Sequence, residues 1–170
     1  MLVMLKRLQQ GLPYIELSAS SVGGPVTGWR NAGAFIHDDL KHIVRSGVAS
    51  TKFVPMLTTN LRDCKQGWTD DAAKHRVSEF TDVKPRNFLE HGSLLLQNCP
   101  VGVGLNYWGH AVTDFELVDL HTEMPATNWL RYGTDFINSW GKDWGDNGCG
   151  IRTGNKALAD AIYSLYQVTV

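Results

Sequence analysis

The sequence predicts an α+β chain of two unequal lobes, with helices first and mostly strands after. Three observations predict it. Residues 1–10 and 31–46 carry apolar side chains at helical spacing. After Thr51, short segments of alternating or β-branched character recur almost to the end. The 170 residues, 43% apolar and 10% aromatic, are enough for one globular domain with its own core. Segregation of helices from strands distinguishes this pattern from an interleaved α/β chain.

Taken in order, "MLVMLKRLQQ" (1–10) reads as a helix apolar on most faces, hence buried, and stopped by Gly11 and Pro13. "YIELSASS" reads as extended and passes into a loop, "VGGPVTG". From Asn31 to Ser46, the positions of Ala32, Phe35, Ile36, Leu40, Ile43 and Val44 predict an amphipathic helix, with Arg45 in its last turn and Gly47 as its stop. Strands are expected at 52–57, 76–82, 100–107, 110–120, 132–138, 148–152 and 163–169, and one more helix over 86–97. The polar run "TTNLRDCKQGWTDD" reads as a surface loop. Residues 1–50 then form the helical lobe and 51–170 the β lobe.

Charge and composition exclude several functions. With a net charge of −1 and 16 basic residues scattered along the chain, no stripe suits a nucleic-acid groove. The first ten residues offer no cleavage site for a signal peptide and are far too short to cross a bilayer. Free thiols and no signal favour a cytoplasmic or virion-associated location. Cys64, Cys99 and Cys149 lie far apart without C-x-x-C spacing, which argues against a zinc site and a disulfide framework. Asp71 and His75, four apart, could be half of a metal site but lack a third ligand, so a solvated charge pair is expected. Gly102-x-Gly104 belongs to a strand, without the following helix that a phosphate loop needs. No metal or cofactor is expected.

Two motifs carry the chemistry. In "PVGVGLNYWGHAV" a buried strand runs from Pro100 to Leu105, the turn Asn106 to Gly109 reverses it, and His110 opens the next strand, followed by small Ala111 and Val112. Alone, such a histidine is more often structural than catalytic. The second motif, "INSWGKDWGDNGCGIRTG" (137–154), sets Asn138 between a strand's apolar run and a glycine-broken loop studded with tryptophan.

Together these motifs resemble those of the papain-like cysteine peptidases. Gly109-His110-Ala111-Val112 is similar to the family's histidine motif, and Asn138-Ser139-Trp140-Gly141, Trp144-Gly145 and Asn147-Gly148 to its asparagine motif, in the same order along the chain. "YIELSASSV" resembles the segment after the family's central helix, Gly23-Gly24 the double glycine at which substrate backbone pairs, and "IVRSGVAS" a helix and its exit. The ending "GNKALADAIYSL" is similar to divergent members from microbes and their viruses. The resemblance implies a papain-like two-lobe fold, a truncated helical lobe beside an antiparallel, barrel-like β lobe. It also implies peptide-bond hydrolysis at a Cys-His-Asn site, with an extended peptide in a cleft between Gly23 and Gly24 on one wall and Ala111, Trp140 and Trp144 on the other.

In that chemistry an imidazole takes the thiol proton, and the ion pair keeps the thiolate available at neutral pH. An amide oxygen holding the far N–H fixes the ring's tautomer and plane without adding charge. The resemblance gives these roles to His110 and Asn138, with Trp140 covering the hydrogen bond and Ser139 and Gly141 supporting the loop. The family's cysteine opens its central helix and, with an upstream glutamine, forms the oxyanion hole. Here that helix would be "MLVMLKRLQQ", starting after the cysteine position and without an ordered cap, so nucleophile and oxyanion hole are expected to be missing. Cys149 is expected in the core, Cys64 in a loop between lobes and Cys99 ahead of a strand, none at a helix start.

Three readings follow. The chain is the His/Asn portion of a peptidase whose cysteine comes from a separate polypeptide or an upstream segment; or it is a pseudoenzyme that binds peptides; or it is a structural part of a larger particle such as a virus. Alone, it is expected to be inactive toward peptide amides.

Overall fold

Helical spacing and strand alternation resolve into five α-helices and six strands in the structure, a computed structural model that describes the backbone of residues 2–168 and the side chains of 6–165. The helices are α1 (Leu2–Gln9), α2 (Ser20–Thr27), α3 (Ile36–Ser46), α4 (Trp68–Ala72) and α5 (Phe88–Leu96). The strands are β1 (Val77–Val83), β2 (Val101–Leu105), β3 (His110–Asp119), β4 (Tyr132–Ile137), β5 (Cys149–Thr153) and β6 (Ala161–Val168). They form one sheet in the order β1-β6-β2-β3-β4-β5. Strand β2 pairs antiparallel with β3 and β6, and β4 pairs antiparallel with β3 and β5. The sheet is open, with β1 and β5 at its edges, so the barrel-like closure expected of the β lobe is absent among the described residues. The chain divides into two compact units, Met1–Phe80 with Tyr166–Val170, and Thr81–Leu165.

In the first unit, residues 16–18 are extended as expected: Leu17 bridges Ser50, and the Ser18 N–H donates to the Ala49 carbonyl at 2.8 Å. The loop expected at "VGGPVTG" is instead the end of helix α2. Its start is tied by Ser21, whose Oγ donates to the Ser18 carbonyl and accepts the Ala49 N–H, and Gly28 in the left-handed region ends it. Tertiary bonds thus override the weak helix propensity of Gly-Gly-Pro. Helix α3 begins at Ile36, five residues later than expected. Residues 52–57 form turns, because the Phe53 and Val54 N–H groups both donate to the Ser50 carbonyl. Helix α4 begins inside the presumed surface loop and ends one residue past it, at Ala72. On α1, Leu8 is 64% exposed, so the expected burial fails there; the side chains of residues 1–5 lie outside the described ones.

The second unit is built on "VGVGL". Val101, Val103 and Leu105 turn to one side of β2 and are buried, joined by Val112, Phe136, Leu95 and Ile162 in its core. Helix α5 falls where helical spacing put it, with Asn87 as its N-cap accepting the Glu90 N–H.

Candidate active site

His110 owes its place to a tight turn. Leu105 pairs with His110, the Trp108 N–H donates to the Leu105 carbonyl at 3.1 Å, and Gly109 takes the positive φ (+60°) that completes the reversal. Asn138 follows β4 directly, and its N–H donates to the Gly148 carbonyl at 2.8 Å. Thr113 pairs with Ile137, so the same register sets Asn138 opposite Val112, diagonal to His110 on one face of the sheet.

The two side chains meet. Nε2 of His110 lies 2.8 Å from Oδ1 of Asn138, and the Ser139 backbone N–H donates to that same oxygen at 2.8 Å. A backbone N–H can only donate, so the atom it faces is the amide oxygen, and the imidazole nitrogen opposite must carry hydrogen. In the neutral imidazole Nδ1 is then the lone-pair nitrogen. Asn138 is 8% exposed, and its Nδ2 has no hydrogen-bond partner among the described residues. Burying an unpaired donor costs about 1–3 kcal/mol, so the amide is held for its oxygen.

Aromatic rings enclose the imidazole. Trp140 stacks on it at 4.8 Å between centroids and 30° between planes, and Trp108 meets it edge-on at 4.9 Å. Behind them Trp144 lies 6.1 Å from Trp108 and 5.7 Å from Phe136. Trp140 stays 53% exposed, so it covers one ring face without sealing the site.

The loop between Asn138 and β5 is shaped by its glycines and its turn. Asn147 and Gly148 both have positive φ, and Asp146 and Cys149 exchange two backbone hydrogen bonds at 2.9 Å across them, the two-residue hairpin turn that Asn-Gly favours. At Gly145 (φ +57°) a Cβ would run into the Cys149 carbonyl, whereas at Gly141 (φ +87°) there is open space and only the backbone angle asks for glycine.

Not every expected site residue belongs to this group. His110, Asn138, Ser139, Trp140 and Trp144 come together. Ala111 is exposed, and strand alternation turns it to the face of β3 opposite His110. Gly23 and Gly24 sit inside helix α2, where a loop was expected. The Gly23 N–H donates to the Ala19 carbonyl, the Gly23 carbonyl accepts the Thr27 hydroxyl, and the Gly24 carbonyl accepts the Trp29 N–H. Gly24 is glycine because a Cβ would collide with the Trp29 indole.

Asp71 and His75 are both buried, and their reading as a solvated pair is corrected. Asp71 accepts the Ser50 N–H, and His75 Nδ1 lies 3.1 Å from the Val48 carbonyl. Cys64 packs beside Ala49, Val54 and Ala72 within the first unit, and Cys99 Sγ lies 3.1 Å from Ser164 Oγ. Cys149 is half-buried opposite Ile137. Burial, with Asp63 beside Cys64 and with Asp135 and Asp146 beside Cys149, pushes both thiols above the usual cysteine range. Sequence reasoning missed the contact of Trp108, although it stands two residues before His110, and a buried cluster of His91, Asp114 and Arg152.

No family model and no curated protein matches the chain. Solved structures do. Xylellain, a cysteine protease from Xylella fastidiosa, is similar at a TM-score of 0.73 and 16% identity over 99% of this chain and 76% of its own. Digestive procathepsin L 3 of the Tenebrio molitor larval midgut is similar at 0.70 and 17%, over 95% of this chain. The proform of the Amb a 11 cysteine protease, a major ragweed pollen allergen, is similar at 0.69 and 12%, over 98%. The chain spans 58% of the procathepsin and 56% of the pollen protein. These likenesses establish a papain-like fold.

Proposed function

We propose that this chain carries the histidine–asparagine half of a cysteine-peptidase site, with the nucleophilic thiol supplied by a segment or polypeptide beyond these residues. The 2.8 Å bond from His110 Nε2 to Asn138 Oδ1 carries the reading. A general base must offer a lone pair on one nitrogen while the other is anchored, and the amide oxygen, itself oriented by Ser139, does the anchoring. In this reading Nδ1 takes the proton of an incoming thiol and returns it to the leaving amine, while Trp140 shields the anchoring bond from water. The papain-like fold supports the reaction class, and an extended peptide is the proposed substrate.

The alternative is a peptide-binding or assembly module without activity of its own; neither reading assigns a nucleophile to Cys64 or Cys149, whose thiols burial pushes above their ordinary range.

One comparison separates the two. The intact mass of the natural protein and the reading frame ahead of Met1 show whether a cysteine-bearing segment precedes α1. A peptidase assay then compares this chain with the longer or complemented form. The proposal expects hydrolysis only in the second, lost on His110→Ala. Stoichiometric labelling of Cys64, Cys99 or Cys149 by a thiol-directed peptide epoxide, with hydrolysis by this chain alone, refutes it.

A further inference from the structure

The second unit buries ionisable groups that the imidazole–amide pair does not use. Asp114 on β3 and His91 on α5 are fully buried, and Arg152 on β5 is 4% exposed. One Arg152 nitrogen, Nη2, bonds Asp114 Oδ2, Nη1 donates to the Lys156 carbonyl at 3.1 Å, and His91 Nε2 lies 3.1 Å from the same Asp114 oxygen. Asp114 Oδ1 and Arg152 Nε have no hydrogen-bond partner among the described residues. A buried ionic group left partly unsatisfied is commonly no more stable than apolar residues of equal volume. Stability alone therefore does not account for it.

Its position in the sheet does. From Thr113 to Asp114, β3 pairs with Ile137 and Phe136; from Glu116 onward it pairs with Asp135 and beyond, leaving Phe115 as the extra residue of a bulge. If the second register ran on toward His110, Asn138 would face Thr113 instead of Val112. Thr113 points to the other side of the strand, so the bond to His110 would be lost. The same slip would set Asp114 opposite Ile137, an outward residue, and strand the Arg152 guanidinium in the core without its carboxylate.

We infer that Asp114 and Arg152 are positioning residues: their buried ion pair holds the bulge at Phe115 and so keeps His110 and Asn138 on one face. The inference rests on the proposed half-site for its catalytic meaning. The same guanidinium lies 5.6 Å from the centre of the Phe136 ring, which lies 5.9 Å from Trp108, the indole beside His110, so the pair also backs the aromatic wall.

The test is made on the whole chain by NMR, following the His110 ring N–H and the cross-strand contacts of Asn138. Asp114→Leu with Arg152→Met is expected to melt no lower than the native chain, yet to lose the protected ring proton and exchange the Asn138–Val112 contact for one to Thr113. Arg152→Lys, which keeps the charge, is expected to retain both signals. A folded double variant with native signals overturns the inference. Should the double variant not fold, Asp114→Asn replaces it: weakening a charge-assisted bond is expected to raise the ring proton's exchange about five- to tenfold. Unchanged exchange overturns it equally. None of these readouts involves hydrolysis, so a failure of the peptidase proposal leaves them standing, and their failure leaves that proposal open to its own assay.

Discussion

The backbone N–H of Ser139 donates to the side-chain oxygen of Asn138, 2.8 Å away, and thereby decides which way the amide points. A flipped side chain would present Nδ2 to the imidazole instead. With Ser139 in place it presents oxygen, and the tautomer of His110 follows.

Asn138→Ala should therefore lose the His110 ring N–H signal and about 1 kcal/mol of stability, read by NMR and urea unfolding. Asn138→Asp keeps an oxygen in place for both donors. It is expected to keep the ring signal, and loss of that signal in both variants would show that an oxygen acceptor alone does not hold the ring.

Trp140 stacks on His110 while remaining half exposed, so its removal should disturb the site more than the fold. Trp140→Ala is expected to cost about 0.5–1.5 kcal/mol, the range of one aromatic contact. Hydrogen exchange at the His110 ring should accelerate, because water then reaches the imidazole face. An exchange rate equal to that of the native chain would mean that the indole shields nothing.

Glycines of the loop divide by cause. At Gly145 both the backbone angle and the Cys149 carbonyl oppose a side chain, whereas at Gly141 only the angle does. Gly145→Ala is expected to cost about 2–3 kcal/mol and Gly141→Ala about 1 kcal/mol, compared by denaturant midpoints. Equal costs would show that the loop relaxes around the added methyl group.

The strands were legible because their signal is local. "VGVGL" buries its alternate residues, and "GHAV" and "NSWG" each place a chemical group at a strand end. Helix α2 was not, since two glycines and a proline spell a loop unless Ser21 is seen bonding Ser18 and Ala49. Nor could pattern reveal that Gly24 serves the Trp29 indole. The pairing of Asp114 with Arg152, 38 residues apart, depends on two strand registers at once. One hint was available: counting by twos from His110 through buried Val112 lands a carboxylate on the core face at Asp114.

Buried histidines set the response to mild acid. Burial lowers the folded-state pKa of His42, helped by Arg45 and opposed by the Ser21 carbonyl; burial also lowers that of His75, opposed chiefly by the Val48 carbonyl. Both start from an ordinary value of 6.5. A lowered folded pKa means that the unfolded chain binds protons first, so unfolding free energy rises with pH across the interval between the two values. The stabilisation is complete above 6.5 and is lost as pH falls through the folded values. Urea unfolding between about pH 7.5 and about pH 5.5 should show declining stability, by about 1.4 kcal/mol for each unit that a pKa is lowered. Replacing both residues, His42→Gln with His75→Gln, should flatten the profile over that range. A slope that survives the double replacement would assign the acid sensitivity to other groups.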